Sequence, residues 1–364
     1  MRYSYWLAQA VNVGSEVAAA AIYCRYWLPE IPGWFWVATF SAGLIYVNAR
    51  TVASFGEFEY WFAMIKVVTI VIFLVLGWAL IFGAGFTRIG FANYTSHGGF
   101  LPHGWTGVAL GVSMATFSFL GTEAVAVTAG EAKDPAAALP RAMRSMFGRL
   151  ALFYVGGIAV LVGVMPWTEA GLAESPFVRV FKTVGIPAAA ALMNFIVLTA
   201  ALSSMNTNLY LCSRMLFSLS RGGYAPAFLG QLSRAGSPVG ALIASSIGMA
   251  LALLLQFFSP KTAYIQMLGA SFFGGLFVWM MILVTHLAFR RRFTGKLSFR
   301  APLYPWASVA GVIALTAISI STWWVPGMKI TLGAGLPWLA FISVCYLVSA
   351  RFDRRRRAKQ ADAG

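Results

Sequence analysis

The sequence predicts an all-α integral membrane protein of about ten spans, and three observations carry that reading. Of 364 residues, 59% are apolar and only 10% charged, with a mean hydropathy of +0.75, a composition that no soluble chain of this length shares. The apolar residues are gathered into ten runs long enough to cross hydrocarbon, and the basic residues fall in the short segments between them. The formal charge of +16 is therefore read as a signal of membrane orientation rather than of nucleic-acid binding.

In chain order the expected spans are Ser4 to Trp27, Trp34 to Val52, Tyr60 to Gly83, Gly107 to Gly130 and Gly148 to Pro166. Pro187 to Leu219, Val239 to Phe258, Ala263 to Phe289, Pro305 to Trp324 and Leu332 to Ala350 follow. The first run lacks the charged start and small-residue cleavage site of a removable leader, so it is read as a span. With the amino terminus in the cytoplasm, 20 of the 27 lysines and arginines lie inside. Arg25, Arg88, Arg179, Lys182, Lys261 and Lys329 lie outside, and Lys66 lies within a span. This bias places both termini in the cytoplasm. Tryptophans such as Trp34, Trp167, Trp323 and Trp324 then stand near the external ends, as in an interfacial belt.

Cys24, Cys212 and Cys345 are odd in number and sit inside apolar runs, which points to packing rather than to disulfides or metal. His97 and His103 share a loop without a nearby cysteine or carboxylate, a poor set of metal ligands. The tail RFDRRRRAKQ is a topology anchor that can also meet anionic head groups. No cofactor, catalytic constellation or nucleic-acid interface is expected.

Polar residues within spans are more informative, because they are costly there. In ATFSFLGTEAVAVTAGEAKDPAAALPR, Ala115 to Arg141, an apolar helix is interrupted by Ser118, Gly121, Thr122 and Glu123 and ends in a charged loop. A glutamate at such depth costs roughly 2.5 to 3.5 kcal/mol on insertion. Backbone that leaves a helix in hydrocarbon needs partners from protein, a wet cavity or a ligand, so the break marks a candidate substrate site. The plainer alternative is a kinked helix with a packing glycine and a hydrogen-bonded glutamate. Asn12 and Glu16 lie one turn apart on one face of the first span, pointing inward. Glu57 and Glu59 stand near a cytoplasmic end, where solvation or pairing with Arg50 explains them. Lys66 sits roughly two turns into the third span, where snorkelling is strained, and a lysine in low dielectric can gain and lose a proton. Snorkelling, or a static ion pair with an interior glutamate, is the alternative. Ser203, Ser204, Asn206, Thr207 and Asn208 form a polar cluster deep in the sixth apolar run, suited to interhelical hydrogen bonds or to a cavity wall.

The run FSFLGTEAVAVTAGEAKDPAAALPRA resembles the sixth span and following loop of the amino acid permeases of the amino acid–polyamine–organocation superfamily. FGEFEYWFAMIKVVTIVIFLVLG at Phe55 to Gly77 and LTAALSSMNTNLYLCSRMLFSLSRGGYAP at Leu198 to Pro226 resemble the family's fifth and eighth spans, in order and spacing. With IYCRYWLPEIP near the start, the resemblance covers nearly the whole chain. It implies a leucine-transporter-like inverted-repeat helical bundle. Residues 1–83 correspond to the later part of the first repeat, 107–289 to the second, 305–350 to two accessory spans and 351–364 to a basic cytoplasmic tail. The family's first two spans are expected to be missing, and with them the glycine-rich turn for the substrate carboxylate, so this chain alone is expected not to transport.

The resemblance also implies roles. Carbonyls of Phe117, Ser118 and Leu120 at the Gly121 break hold the substrate ammonium, Phe119 is a gate or packing residue, and Glu123 belongs to the same site. Lys66 takes the place of sodium in sodium-coupled relatives, with Ser203 and Ser204 as neighbours and Asn12, Glu16 and Asn206 as further cavity candidates. The expected function is proton-coupled import of a neutral amino acid by alternating access, with amino acid, proton and lipid bilayer as partners, in the inner membrane. The alternative is a non-transporting remnant, sensor or partner subunit that keeps the fold.

Overall fold

The computed structural model describes the chain except residues 51–54, 84–88, 124–133, 170–174, 176, 179–180, 182–186, 296–300, 302 and 362–364. For 55–60, 62–63, 135–136, 187, 189 and 349–361 only the backbone is described. The loop after Glu123, the side chains of Glu57 and Glu59 and those of the basic tail thus lie outside the described residues. Among the described residues all regular structure is helical.

The elements are α1 (Arg2–Cys24), α2 (Gly33–Arg50), α3 (Phe55–Phe82), α4 (Gly104–Phe117), α5 (Pro135–Leu150) and α6 (Gly156–Val164). They continue with α7 (Pro187–Arg221), α8 (Val239–Ser245), α9 (Ile247–Phe258), α10 (Ala263–Arg292), α11 (Trp306–Ser321) and α12 (Ile330–Ala361). Among the described residues, six stretches are long and apolar enough to cross a membrane by length and composition: Met64–Phe82, Ala137–Val164, Ala190–Arg221, Val239–Phe258, Ala263–Arg292 and Ile330–Val348. Ten spans were expected; four runs fall short among the described residues, and of these α2 is 18 residues long with Asn48 and Arg50 in its last turn. The Gly107 run leaves the α-helix after Phe117, and α11 is only 16 residues long. α1 carries Ser4, Gln9, Asn12, Ser15 and Glu16, a polarity that protein contacts must satisfy.

α1 supplies them by running through the middle of the molecule, packed against α7, α9 and α10. Its small residues, Ala8, Ala10 and the run Ala18 to Ala21, are buried, which lets neighbouring helices come close. The closest crossing is with α9, where a Cβ on Gly248 would stand 1.8 Å from the Ala10 carbonyl oxygen and one on Gly14 would stand 2.2 Å from that of Gly248. Val13, Val17, Met205, Leu209, Leu242 and Met249 fill the core around this crossing. A second core joins Phe73 and Ile81 of α3 to Val160 and Val164 of α6. A third joins Leu268, Phe272 and Leu276 of α10 to Leu315 of α11 and packs against Phe117 and Leu120.

Two boundaries differ from expectation. The segment before Gly148, read as loop, begins a helix at Pro135: the Asp134 carboxylate accepts from the Ala137 N–H at 3.2 Å and proline occupies the first turn. This helix runs on through a π-helical turn, Ala151–Val155, into α6. The Val239–Phe258 run is divided at Ser246, whose hydroxyl and N–H both bond back to the Leu242 carbonyl. Outward from these cores the chain is apolar, with Ile72, Val75, Phe258 and Leu347 all more than half exposed. An apolar exterior of this extent belongs in lipid.

Candidate functional site: a polar cavity at the broken helix

α4 ends at Phe117 because the next turns tighten. Ser118, Phe119 and Leu120 donate their N–H groups to the carbonyls three residues back, and Thr122 does the same to Phe119. Gly121 then takes φ +99°, a conformation costly to any residue with a Cβ. The α-helix thus ends where the sequence places Ser118 and Gly121, and the residues after Glu123 lie outside those described. The loosened backbone is held from outside itself. Tyr154, carried by the π-helical turn, donates its hydroxyl to the Ser118 carbonyl at 2.7 Å, and its ring meets Phe119 edge-on at 5.3 Å. Gly121 donates its N–H to Glu123 Oε2 at 2.9 Å, and the same oxygen accepts from Trp279 Nε1 at 2.9 Å.

Beside this turn lies a cavity of about 650 Å³, with walls from α1, α4 and its turn, α7 and α10. Asn12, Glu16, Phe117, Ser118, Leu120, Gly121 and Ser204 line it, together with Tyr23, Asn208, Tyr154 and Tyr264. Its chemistry is mixed: aromatic and aliphatic walls, a broken backbone on one side and a carboxylate on the other. Glu16 Oε1 accepts from Ser204 at 2.7 Å, Asn12 at 3.3 Å and Asn208 at 3.5 Å. Lys66 Nζ donates to Ser203 Oγ at 2.9 Å, so adjacent serines of α7 meet the lysine and the buried glutamate.

Five of the selected residues stand off the cavity wall. Lys66 and Ser203 meet behind it, Phe119 packs on Tyr154, and Glu123 faces Trp279. Asn206 turns to α2, where Asn48 Nδ2 donates to its Oδ1 at 2.7 Å. Sequence reasoning passed over Tyr154, Tyr264, Trp279 and Gly275, aromatics and a glycine inside apolar runs that carry no mark of their partner. His97 and His103 both meet Trp167: its indole donates to the His97 carbonyl, and the His103 ring lies edge-on at 5.2 Å. Among the described residues no three His, Cys, Asp or Glu side chains converge to hold a metal ion.

A multi-pass membrane protein whose polar groups converge on a cavity beside an unwound helix is built as a carrier of small polar solutes. The chain belongs to the amino acid permease family, whose "Amino acid permease" model matches residues 1–359. It is 39% identical to the gamma-aminobutyric acid permease of Bacillus subtilis (strain 168), covering 99% of this chain and 77% of that protein. It is 36% identical to the probable threonine/serine transporter YbxG of the same organism, over 95% and 76% of the two chains. With the aromatic amino acid transport protein AroP of Salmonella typhimurium (strain SL1344) the identity is 35%, over 98% and 79%. The family is one of membrane transporters, not enzymes, and amino acid transport is the function it supports.

Proposed function

We propose that this chain is the core of a proton-coupled importer of neutral amino acids, working by alternating access with both termini in the cytoplasm. On this reading its ten crossings follow the inverted-repeat plan, and the second repeat contributes the broken helix. The observation that carries the coupling is the hydrogen bond from Lys66 Nζ to Ser203 Oγ, one residue from the serine that holds Glu16 on the cavity wall. A proton gained or lost by Lys66 changes how firmly α3 is tied to α7, and α7 forms part of the substrate cavity. Coupling requires such a difference between two states.

The substrate ammonium fits at the carboxyl end of α4. Helix carbonyls there carry partial negative charge, and each accepts a second hydrogen bond. Phe117, Ser118 and Leu120 supply those carbonyls. Phe117 O already accepts from Leu120 N, and Ser118 O from Tyr154, leaving one lone pair on each for a ligand. Leu120, Phe117 and Val197 make an apolar wall suited to an uncharged side chain. The test is Lys66→Met in a full-length transporter reconstituted in proteoliposomes. Accumulation of labelled amino acid against its gradient falls at least roughly ten-fold, the equivalent of about 1.4 kcal/mol, while exchange of internal for external substrate persists. Accumulation with unchanged pH dependence would remove Lys66 from the coupling.

A further inference from the structure

Behind the broken helix, α10 presents a stripe of three residues one turn apart, Ser271, Gly275 and Trp279. Each meets the site differently. Ser271 lines the cavity. Gly275 leaves the space that Leu120 fills, since a Cβ there would stand 2.6 Å from Leu120 Cδ1. Trp279 Nε1 donates to Glu123 Oε2 at 2.9 Å, the oxygen that also takes the N–H of Gly121 at 2.9 Å. The Phe117 carbonyl, the normal helical acceptor for the Gly121 N–H, is bonded to Leu120 instead, and the carboxylate replaces it.

We propose that this stripe of α10 is the seat that sets the position of the substrate-binding turn, with Trp279 and Gly275 as positioning residues. Trp279 orients the Glu123 carboxylate so that it holds Gly121, and Gly275 receives Leu120. The seat fixes the turn at two points on either side of Gly121, so that the carbonyls of Phe117, Ser118 and Leu120 keep one direction. The inference rests on the reading of this turn as the substrate site.

The test needs no known substrate. Cys24 and Cys212 are buried and Cys345 is exposed, so Cys345→Ser leaves a quiet background for Thr122→Cys on the cavity wall. In proteoliposomes, Trp279→Phe raises the labelling rate of that thiol by a water-soluble maleimide roughly five-fold or more, the response to a small loss of local stability. Glu123→Ala does the same, and the double variant reacts no faster than either single one. Gly275→Val speeds labelling as well, and Leu120→Ala in the same chain returns it toward the starting rate. Unchanged rates, effects of Trp279→Phe and Glu123→Ala that multiply, or a Gly275→Val effect that Leu120→Ala leaves standing would each overturn the seat. Uptake of uniformly labelled mixed amino acids by the full-length transporter carrying the same variants separates the two layers of argument. A raised KM alongside faster labelling is the expected pair, whereas faster labelling with unaltered KM and rate leaves the seat in place and refutes the substrate reading of the turn.

Discussion

Gly121 shows how a single residue shapes the turn after α4. Nothing lies within 4 Å of where its Cβ would be, so a side chain there meets no steric barrier from its surroundings. The barrier is in the backbone, because at φ +99° any Cβ crowds the carbonyl of the preceding residue, at about 1–2 kcal/mol, and more for a β-branched residue. Gly121→Val is therefore expected to weaken amino acid binding roughly five- to thirty-fold or to abolish it, read as substrate protection against thermal unfolding. Unaltered protection would show that the turn does not form the site. Glu16 lines the same cavity. Its partner Asn12 was legible from the four-residue spacing, but Ser204 and Asn208, from a helix almost two hundred positions away, were legible only as a polar cluster without an address.

Among the elements, α1 and α9 depend on one another most closely. Their backbones approach through Gly14 and Gly248, so a methyl group at Gly248 meets main-chain atoms of Ala10 and Val11 rather than a side chain that can swing aside. Gly248→Ala is expected to cost about 1–3 kcal/mol or more in overpacking. The apparent unfolding temperature in detergent should fall by several degrees, while Gly43→Ala, inside α2 with nothing within 4 Å of its Cβ, leaves it unchanged or slightly raised. Equal melting of the two variants would mean that the helices can separate at this crossing without loss. α5 gives the opposite lesson about legibility. Asp134 and Pro135 are a helix-start signal, but a start signal acquires meaning only from the helix that follows, and the charged segment offers no apolar run to mark one.

At the scale of the molecule, the apolar exterior and the basic loops belong to the same physics. Lipid takes the exposed side chains of α3, α9 and α12, and the excess of lysine and arginine in alternate connections sets which way the chain inserts. Both ends are expected in the cytoplasm. A green fluorescent protein fused after Gly364 should fluoresce, and alkaline phosphatase fused there should be inactive; the reverse pattern would overturn the orientation and, with it, the direction assigned to transport.

The sequence alone determined the membrane class, the approximate places of the apolar helices and the position of the break, because each depends on local chemistry: hydropathy over a run, a glycine's dihedral freedom, the cost of a carboxylate in hydrocarbon. It also marked Asn12, Glu16, Lys66 and the serine pair, since polar groups at such depth must be satisfied somewhere. Only the tertiary structure decided where. It sent Asn206 to α2, joined Lys66 to Ser203 and Ser204 to Glu16, and brought Tyr154 and Trp279 onto the turn. Those pairings join residues far apart in the chain, and an aromatic side chain in an apolar run looks the same whether it faces lipid or donates a hydrogen bond to a broken helix. The difference lies in the packing of α1, α7 and α10, which no local pattern encodes.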